Sequence, residues 1–391
     1  MADWPLVPLT DVLDFKEGPG ILAKDFHPAG VPLIRLAGVK FGAHILHGCN
    51  YLDPEMVERK WKQFRLAKGD VILSTSASLG EVAVVGNDGI GAVPYTGLIR
   101  FRPVDDRMST RFIPIALTSI SFERQIEAMG AGSVLRHFGP LHLRQMTLQV
   151  PPRHVQVAIA DVIEALDEKI ESNRRLVALI PQLIRAMVSD SLGVHPREVA
   201  VADLATFVNG GAYTKGASGT GRIVIRIAEL NSGPGGSTVY SDIDVPDEEI
   251  ARAGDILMSW SGSLGVYRWF RDEAIINQHI FKVMPSDGYP SWLVFDRLDA
   301  VMPTFQGIAK DKATTMGHIQ RGHLESTTIE VPTSDAIHRL DGLIALLWER
   351  LLLAEREIVE LTALRDALLP ELLSGRIRVP EAREAVQEAS A

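Results

Sequence analysis

The chain repeats itself internally, and this duplication constrains its fold more than any other feature. Three segments of the first half return in the second half in the same order. They are residues 68–80 (KGDVILSTSASLG) and 253–265 (AGDILMSWSGSLG), 33–38 (LIRLAG) and 224–229 (VIRIAE), and 142–151 (HLRQMTLQVP) and 323–332 (HLESTTIEVP). The offsets of 191, 185 and 181 along the chain indicate two copies of one domain with loops of different length. Two similar domains in tandem suit a target that itself has two separated parts.

The composition is that of a protein that forms a hydrophobic core, and no segment of the chain is strongly basic. The 391 residues, 46% hydrophobic and 23% charged, are enough for two globular domains. The net charge of −9, with no basic block, opposes tight binding to a polyanion by this chain alone. The single Cys49 excludes an intrachain disulfide and a thiolate metal site. The chain shows neither a signal peptide nor a membrane-spanning apolar run, so we expect a cytoplasmic protein without membrane association.

Each repeat is followed by a helix with a heptad pattern, which predicts two helices that pair as a coiled coil. A helix of about 35 residues is about 50 Å long and suits a spacer. The predicted seam consists of Ile159, Ile163, Leu166, Ile170, Asn173, Val177, Ile180 and Ile184 in the first helix and Ile337, Leu340, Ile344, Leu347, Leu351, Ile358, Leu361 and Leu368 in the second. Asn173 either fixes the register or lies at an edge facing solvent or a partner. Pro181 predicts a kink rather than an end.

The repeats are predicted to be mixed and strand-rich. Short strands follow the Gly-Asp turns at residues 70–74 and 255–259, and alternating strands at 98–103 and 280–285 are stopped by proline. Helices are predicted at 112–129 and 292–302. The predicted domains are recognition domain 1 (1–150), a spacer helix (151–192), recognition domain 2 (193–331), a second spacer helix (332–378) and a frayed tail (379–391).

The order of these motifs resembles that of a known family, the specificity (S) subunits of type I restriction-modification enzymes. The second half carries the wording of one branch of that family at 254–265 (GDILMSWSGSLG), 277–282 (NQHIFK) and 313–319 (ATTMGHI). The helix around 166–173 (LDEKIESN) resembles the family's central spacer. No single motif suffices, but their order is specific, and the resemblance covers essentially the whole chain.

The resemblance implies an α+β fold with two tandem homologous mixed α/β target recognition domains, joined by two long helices in an antiparallel coiled coil. Each domain would read one half of a bipartite double-stranded DNA site in the major groove. The subunit would be non-catalytic and bind no cofactor. It would recruit two adenine methyltransferase (M) subunits and, through them, motor-nuclease (R) subunits. S-adenosylmethionine, ATP and Mg are expected on those partners.

Candidate DNA contacts were chosen for side chains that read base edges. In the first domain they are Ser74, Ser76, Ser78, Tyr95, Thr96, Arg136 and His137; in the second they are Ser259, Trp260, Ser261, Ser263, Asn277, Gln278, His279, Lys312, Thr314, Thr315 and His318. The serines serve equally well as turn residues beside the glycines, and Trp260 as a core residue. The Asn277–His279 run favours scaffold or phosphate contact over base readout. Of Arg100 and Arg102, one is expected to face solvent or DNA.

Motifs of enzyme chemistry are missing from the sequence. There is no phosphate-binding Gly-x-x-x-x-Gly-Lys-Ser/Thr loop, no Asn-Pro-Pro-aromatic methyltransferase motif and no His-Glu-x-x-His zinc motif. The repeated pairs His137/His142 and His318/His323 have a spacing that suits neither one helix face nor one strand face, so no metal site is expected. The alternatives to a DNA-reading subunit are a coiled-coil scaffold of the same fold that has lost DNA binding and, less favoured, an enzyme with its own active site.

Overall fold

The computed structural model describes residues 4–40, 43–75, 79–129, 138–193, 196–311 and 317–389. The chain divides into two compact units, residues 1–168 with 361–391, and residues 169–360. Each unit contains one sequence repeat and one half of each long helix. The domain limits predicted from the sequence stay a prediction, because this division groups the helix halves with the repeats.

Within its described residues, the first repeat contains ten strands and five short α-helices, and a long helix follows it. The strands are β1 (Leu6–Pro8), β2 (Leu13–Glu17), β3 (Phe26–His27), β4 (Val31–Ile34), β5 (Asn50–Leu52), β6 (Val71–Ser74), β7 (Val82–Val84), β8 (Val93–Pro94), β9 (Leu98–Pro103) and β10 (Thr147–Gln149). The helices are α1 (Leu9–Val12), α2 (Pro54–Met56), α3 (Ile113–Leu117), α4 (Ile120–Met129), α5 (Pro140–Leu143) and the long α6 (Arg153–Leu192).

The second repeat has the same plan. Its strands are β11 (Arg197–Ala200), β12 (Ala205–Asn209), β13 (Arg222–Ile225), β14 (Val239–Ser241), β15 (Ile250–Ala251), β16 (Ile256–Ser259), β17 (Gly265–Arg268), β18 (Ala274–Ile276), β19 (Ile280–Pro285) and β20 (Thr328–Val331). Its helices are α7 (Val201–Leu204), α8 (Ile227–Ser232), α9 (Ser291–Asp311) and α10 (Arg321–Ser326), and the long α11 (Ser334–Leu373) and α12 (Val379–Ala389) follow.

One antiparallel sheet is built identically in both repeats, with strand order β2-β9-β6-β7 in the first and β12-β19-β16-β17 in the second. The strand after the Gly-Asp turn is buried along its whole length in both copies, β6 and β16. In β16, Ile256 and Met258 belong to the core cluster with α9, whereas Leu257 packs against the second sheet. Burial on both faces explains why this strand is a continuous apolar run without alternation.

The second sheet is equivalent in three of its four strands. Strand β4 pairs antiparallel with β5 and parallel with β8, and β13 pairs in the same way with β14 and β18. The fourth strand differs, because β3 lies beside β5 whereas β15 lies beside β18. The duplicated framework therefore extends through both sheets, and the variation is confined to an edge strand.

The predicted strands at 98–103 and 280–285 are confirmed, but the predicted helices need correction. Residues 112–129 do not form one helix, because the chain breaks at Thr118 between α3 and α4. Ser119 stabilises the break by donating to Ala116 O (2.7 Å) and accepting from Phe122 N (3.2 Å). In the second repeat, α9 continues beyond the predicted end at 302 and runs through Pro303 to Asp311.

The two long helices pack antiparallel, as expected. In the second unit, Ile180 and Ile184 of α6 share one core cluster with Ile337, Ile344 and Leu351 of α11. In the first unit, Arg365 of α11 bonds Asp167 of α6 over 2.9 Å. Of the predicted seam, the buried residues are Ile159, Ile163, Leu166, Ile170, Asn173, Ile180, Ile184, Ile337, Ile344, Leu351, Leu361 and Leu368, and the half-buried ones are Val177, Leu340, Leu347 and Ile358.

Three details of the helical segments bear on the predictions. Asn173 is buried in the seam rather than at an exposed edge. Helix α6 does not end at Pro181. The predicted frayed tail is wrong, because Val379–Ala389 forms α12 and Ala382 is fully buried. The buried Ala382 and an ion pair between Arg383 and Asp161 of α6 (3.4 Å) anchor a segment whose composition alone predicts disorder.

Candidate nucleic-acid interface

In the first unit, three chain segments meet at the end of the shared sheet. Thr75, which follows β6, donates its backbone N–H to Gly97 O (2.9 Å), in the loop before β9. Phe138, which precedes α5, donates to Thr75 O (3.2 Å). Tyr95 joins the same loop to the second sheet by donating to Ile34 O (3.0 Å). Backbone bonds therefore hold the three segments together, whatever side chains they carry.

The second unit makes the same three bonds at equivalent positions. Trp260 donates to His279 O (3.2 Å), and Ile319 donates to Trp260 O (3.0 Å). Asn277 donates to Ile225 O (3.2 Å). Trp260 thus replaces Thr75, and residues 277–279 replace Tyr95, Thr96 and Gly97. The framework is common to both units, and the side chains mounted on it differ.

A glycine closes each framework at a point where two backbones come close. Gly18 donates to Leu98 O (2.9 Å), and Gly210 donates to Ile280 O (3.1 Å). A Cβ atom at Gly18 would lie 2.2 Å from Pro94 O, and one at Gly210 would lie 2.2 Å from Ile276 O. Both positions need glycine because no side chain fits in that space.

Two predicted DNA contacts hold turns instead. Ser74 and Ser259 are fully buried. The hydroxyl of Ser74 accepts from Glu81 N (3.0 Å), and that of Ser259 accepts from Gly265 N (2.9 Å) and donates to Ser263 O (2.6 Å). Burial and these bonds favour the turn role for both residues, because a fully buried hydroxyl that bonds within its own loop is not available to a base edge.

The side chain of Trp260 belongs to an aromatic group in the second unit. Its ring centroid lies 5.4 Å from that of His279, 6.4 Å from that of His318 and 5.9 Å from that of Phe281. Its Nε1 donates to Asn209 Oδ1 over 2.8 Å. Trp260 is half-buried, so it packs against the core on one side and leaves an edge in solvent. Both roles considered from the sequence are compatible with this position.

The remaining predicted residues of the second unit divide by exposure. Gln278 and Ser263 are exposed, whereas Asn277 and Ser261 are buried. Asn277 Oδ1 accepts from Gln278 N (2.9 Å), which favours the scaffold role for Asn277. Ser261 pairs with His318 in an isolated β-bridge. Gln278 is therefore the member of the 277–279 run that is free of the core.

In the first unit, the equivalent loop is held by a different side chain. Thr96 is exposed and donates to Glu17 Oε1 (3.3 Å), which also accepts from Gly97 N (3.1 Å). The guanidinium of Arg35 stacks on the half-buried ring of Tyr95, with its Cζ 4.0 Å from the ring centroid. This cation–π contact fixes a positive charge beside the loop.

Seven predicted contacts lie outside the described residues: Ser76, Ser78, Arg136, His137, Lys312, Thr314 and Thr315. They belong to segments that follow or precede the framework just described.

Sequence reasoning missed Arg35, Glu17 and Asn209. The sequence contains a signal for Arg35, because the arginine is retained in both copies of the echoed segment, as Arg35 and Arg226. In the second copy, Arg226 has another role, since it bonds Glu229 (2.6 Å) and Ser237 O (2.7 Å) around α8. Glu17 and Asn209 directly precede Gly18 and Gly210, and neither lies in one of the segments that the two halves of the chain share.

Both arginines of β9 pair with carboxylates, and of the two it is Arg102 whose side chain reaches solvent (36% exposed), whereas that of Arg100 is buried (5% exposed). Arg102 bonds Asp70 over 2.7 Å and Arg100 bonds Asp14. In β19, Lys282 holds the position that Arg100 holds in β9, and its Nζ lies 2.9 Å from a carboxylate oxygen of Asp255. The Gly-Asp turn thus supplies Asp70 and Asp255 as partners, and the hydrogen bond that Arg102 donates to Asp70 raises the pKa of Arg102.

The described part of the chain offers no group of three or more His, Cys, Asp or Glu side chains that could hold a metal ion. None of its helices is both long and apolar enough to cross a bilayer.

Comparison with known proteins agrees with this architecture. Residues 1–182 match the family described as the type I restriction modification DNA specificity domain. The chain is 23% identical over 177 residues to the type I restriction enzyme MjaVIII specificity subunit of Methanocaldococcus jannaschii, covering 44% of this chain and 41% of that protein. It is 31% identical over 70 residues to the MjaIX specificity subunit of the same organism, covering 18% and 16%. The matched stretches thus span less than half the length of either relative.

The fold is also similar to a solved structure, that of a type I restriction-modification system S subunit from M. genitalium. The TM-score is 0.64 at 14% sequence identity, with 95% of this chain and 96% of that chain covered. This likeness shows a common fold.

The chain thus has two mixed domains of common plan and two long helices that pair. The first 182 residues are thus similar to the type I restriction modification DNA specificity domain, and the fold of the whole chain is similar to that of an S subunit.

Proposed function

We propose that this chain is the DNA-reading subunit of a type I restriction-modification complex and recognises a bipartite site, one half with each unit. The observation that supports this most is the common backbone framework, which presents different side chains from equivalent positions in the two units. A conserved frame with variable side chains is what two readers of different half-sites require. Sequence readout depends on side-chain donors and acceptors, whereas the frame only has to place them.

The polar groups of each frame that are exposed or half-buried are the proposed base contacts. In the first unit these are Thr96 and the Arg35–Tyr95 pair, and in the second they are Gln278, Ser263 and the free edge of Trp260. Gln side chains pair with adenine and Arg side chains with guanine in the major groove, while threonine contacts either type. We retain His279 and His318 as second-unit candidates because they surround Trp260.

Phosphate contacts from this chain alone are expected to contribute little. The net charge of −9 is unfavourable near DNA, and Arg100, Arg102 and Lys282 are held by carboxylates. Each neutralised phosphate adds to affinity through counterion release, so a chain whose acidic residues outnumber its basic ones gains little from this contribution. Partner subunits are therefore expected to supply much of the binding energy.

The helix pair is proposed to set the spacer between half-sites. Each long helix has 40 residues, which corresponds to about 60 Å of helix. A turn of DNA measures about 34–36 Å, so a rod of this length is sufficient to hold two readers on one face of a duplex. Removing one heptad from both helices is expected to change the accepted spacer and leave the half-site sequences unchanged.

An apolar flank of the helix pair supports recruitment of M subunits. In the second unit, Leu179 and Leu183 of α6 and Leu343, Leu346 and Leu353 of α11 are all about half exposed or more, up to 63% at Leu346. Four of them, Leu179, Leu183, Leu343 and Leu346, directly precede seam residues, and Leu353 precedes the buried Ala354. Lys169 and Glu357 also directly precede seam residues, and they form an ion pair (3.4 Å) across the helices on that flank. The leucines of both helices therefore lie on one side, because equivalent flanks face each other in an antiparallel pair.

A leucine surface of this kind suits helices of a partner protein. The proposed occupants are two adenine methyltransferase subunits, through which motor-nuclease subunits join. S-adenosylmethionine, ATP and Mg would be bound by these partners and none by this chain, which would itself be non-catalytic. The alternative is a scaffold of the same fold that joins proteins through its helices and does not bind DNA. The cations held by carboxylates are the observation that favours it.

Sequence-specific binding distinguishes the two functions. Methylated adenines mapped in the source genome identify the target, and purified complex with M subunits is then titrated with target and scrambled duplexes. We expect tight binding to the target only, with Gln278→Ala weakening recognition of one half-site and Thr96→Ala that of the other. Binding that does not depend on sequence in the complete complex would favour the scaffold.

A further inference from the structure

A buried ion pair joins the reading sheet of the second unit to the long helix α11. Arg268, the last residue of β17, has a side chain only 2% exposed. Its Nε and Nη2 donate to Glu355 Oε2 over 3.1 and 2.5 Å, and its Nη1 donates to Trp348 O over 2.8 Å. The guanidinium also stacks on the Trp348 ring, with Cζ 4.2 Å from the centroid. One side chain therefore makes four directional contacts with two turns of the helix.

Burying this ion pair costs desolvation energy. Burial raises the pKa of Glu355 and lowers the pKa of Arg268, which means that the charged form of each group is disfavoured there. Apolar side chains of similar volume hold such a contact as well or better, but without fixed angles. The planar guanidinium, in contrast, defines direction through its fork of donors and its stacking face.

The position of Arg268 makes it a link between the reader and the rod. Strand β17 pairs with β16, with Arg268 opposite Ile256 and Gly265 opposite Ser259. Ser259 is followed directly by Trp260 of the candidate interface. The contact is particular to this unit, since Val84 holds the equivalent position in the first unit, opposite Val71, and is 53% exposed.

The first unit attaches its repeat to α6 by other means. Arg111 bonds Glu164 (2.9 Å) in an exposed ion pair, and the buried Gln156 accepts from Ser109 N (2.8 Å) and donates to Arg107 O (2.7 Å). The two readers are thus anchored by unrelated contacts, although their frameworks are equivalent.

We infer that Arg268 is a positioning residue, which fixes the second recognition domain on α11 through Glu355 and Trp348 and so restricts the spacer that the complex accepts. This inference rests on the proposed function and deepens it. Arg268 lies away from the proposed base contacts and acts through the orientation of the sheet that carries Trp260. Its loss should therefore alter the spacing rule and leave the sequence rule intact.

The main test uses the complete complex with M subunits and target duplexes whose spacer is the natural one or is one base pair longer or shorter. The variant is Arg268→Met with Glu355→Leu, which replaces the pair by apolar groups and leaves no buried charge. We expect thermal stability close to that of the unchanged protein, while preference in methyl transfer for the natural spacer falls by about tenfold. The half-site sequences stay the same. Undiminished spacer preference would overturn the inference.

The matched control is Arg252→Met. Arg252 also forms ion pairs, with Asp247 (2.5 Å) and Glu273 (2.8 Å), but these are exposed and lie within the recognition domain. We expect this variant to keep the natural spacer preference. Arg268→Lys keeps the charge without the planar fork and should give an intermediate loss of preference.

A second measurement needs no DNA and separates failure of the inference from failure of the proposed function. Spin labels at Asp244→Cys and Glu349→Cys, in a Cys49→Ser background, report the distance distribution between the recognition domain and α11. We expect a narrow distribution that broadens in the Arg268→Met/Glu355→Leu protein and not in Arg252→Met. An unchanged distribution would overturn the anchor even if DNA recognition fails, and absence of sequence-specific binding by the unchanged complex would overturn only the proposed function.

Discussion

Asn173 of α6 donates a hydrogen bond of 2.6 Å to Glu357 of α11, inside the seam of the helix pair. The same amide accepts from Arg350 over 3.0 Å, so both of its functions are used. A buried polar side chain among aliphatic seam residues costs desolvation energy, and it is satisfied only when its partners on the other helix are opposite. The pair therefore favours one register of α6 on α11, which is the role that a polar seam residue has in coiled coils.

Replacing Asn173 by alanine should destabilise the second unit. Glu357 and Arg350 would lose a buried partner, and we expect a loss of about 1–3 kcal/mol in the free energy of unfolding. Urea titration followed by circular dichroism measures it. The control is Ser172→Ala, an exposed neighbour on the same helix, which should change stability by less than about 0.5 kcal/mol. Equal stability of Asn173→Ala and the control would exclude a register function.

The same contact predicts a dependence on pH. Burial acts to raise the pKa of Glu357, but the hydrogen bond from Asn173 and the charges of Lys169 and Arg350 outweigh it and leave that pKa below about 4.5. A folded-state pKa that is lowered contributes stability above the unfolded value, and this contribution is lost as the pH falls through the folded value. Stability should therefore decrease on acidification below about pH 4.5, and Glu357→Gln should reduce this decrease. Identical pH profiles of the two proteins would contradict the assignment.

The close-approach glycines should be intolerant to a methyl group in both units. In Gly18→Ala and in Gly210→Ala, the new Cβ would meet a carbonyl oxygen at 2.2 Å, so the loop before β9 or β19 must shift. We expect each to cost about 1–3 kcal/mol in thermal unfolding, as overpacking does. Gly20→Ala and Gly235→Ala are matched controls, because nothing lies within 4 Å of their added Cβ atoms. Should the controls be as destabilised as the test variants, the close approach would not be the cause.

The bond between Trp260 and Asn209 should affect one half-site only. Trp260→Phe removes the 2.8 Å donor and keeps an aromatic ring, and Asn209→Ala removes the acceptor. We expect each to weaken binding of the complex to the target by about 0.5–1.5 kcal/mol, and the double variant to cost less than the sum. Titrations with duplexes altered in one half-site locate the effect.

The control for this prediction is Tyr267→Phe, which removes a 2.7 Å bond to Asn231 elsewhere in the same unit. It should leave target affinity nearly unchanged. Additive losses in the Trp260–Asn209 cycle would show that the two side chains act separately.

Several features of the fold were predictable because they depend on local periodicity. The heptads place Ile159, Ile184 and Ile344 in the seam wherever the helices pair, since an α-helix returns to one face every 3.5–3.6 residues. The repeated Gly-Asp turns predict β6 and β16, because the apolar run after each turn is long enough for a strand but too short for a helix. The order of the echoed motifs was sufficient to indicate the family.

The candidate site was less predictable, because its residues are brought together by bonds between distant segments. Nothing in the local sequence distinguishes Ser259, which holds a turn, from Ser263, which is exposed. Arg100 and Arg102 alternate like surface residues, yet the first is held by Asp14 of β2 and the second by Asp70 of the Gly-Asp turn. Hydrogen-bond partners at these separations depend on strand order, which periodicity does not encode.

The sequence by itself determined the duplication, the paired long helices and the strands after the Gly-Asp turns, since each follows from a repeat or a period within the chain. Only the tertiary structure decided which side chains face solvent at each frame, that Asn173 is buried against Glu357, and that Arg268 reaches α11. The physical reason is that exposure and pairing are set by what packs opposite a residue, and that neighbour is usually far away in the chain.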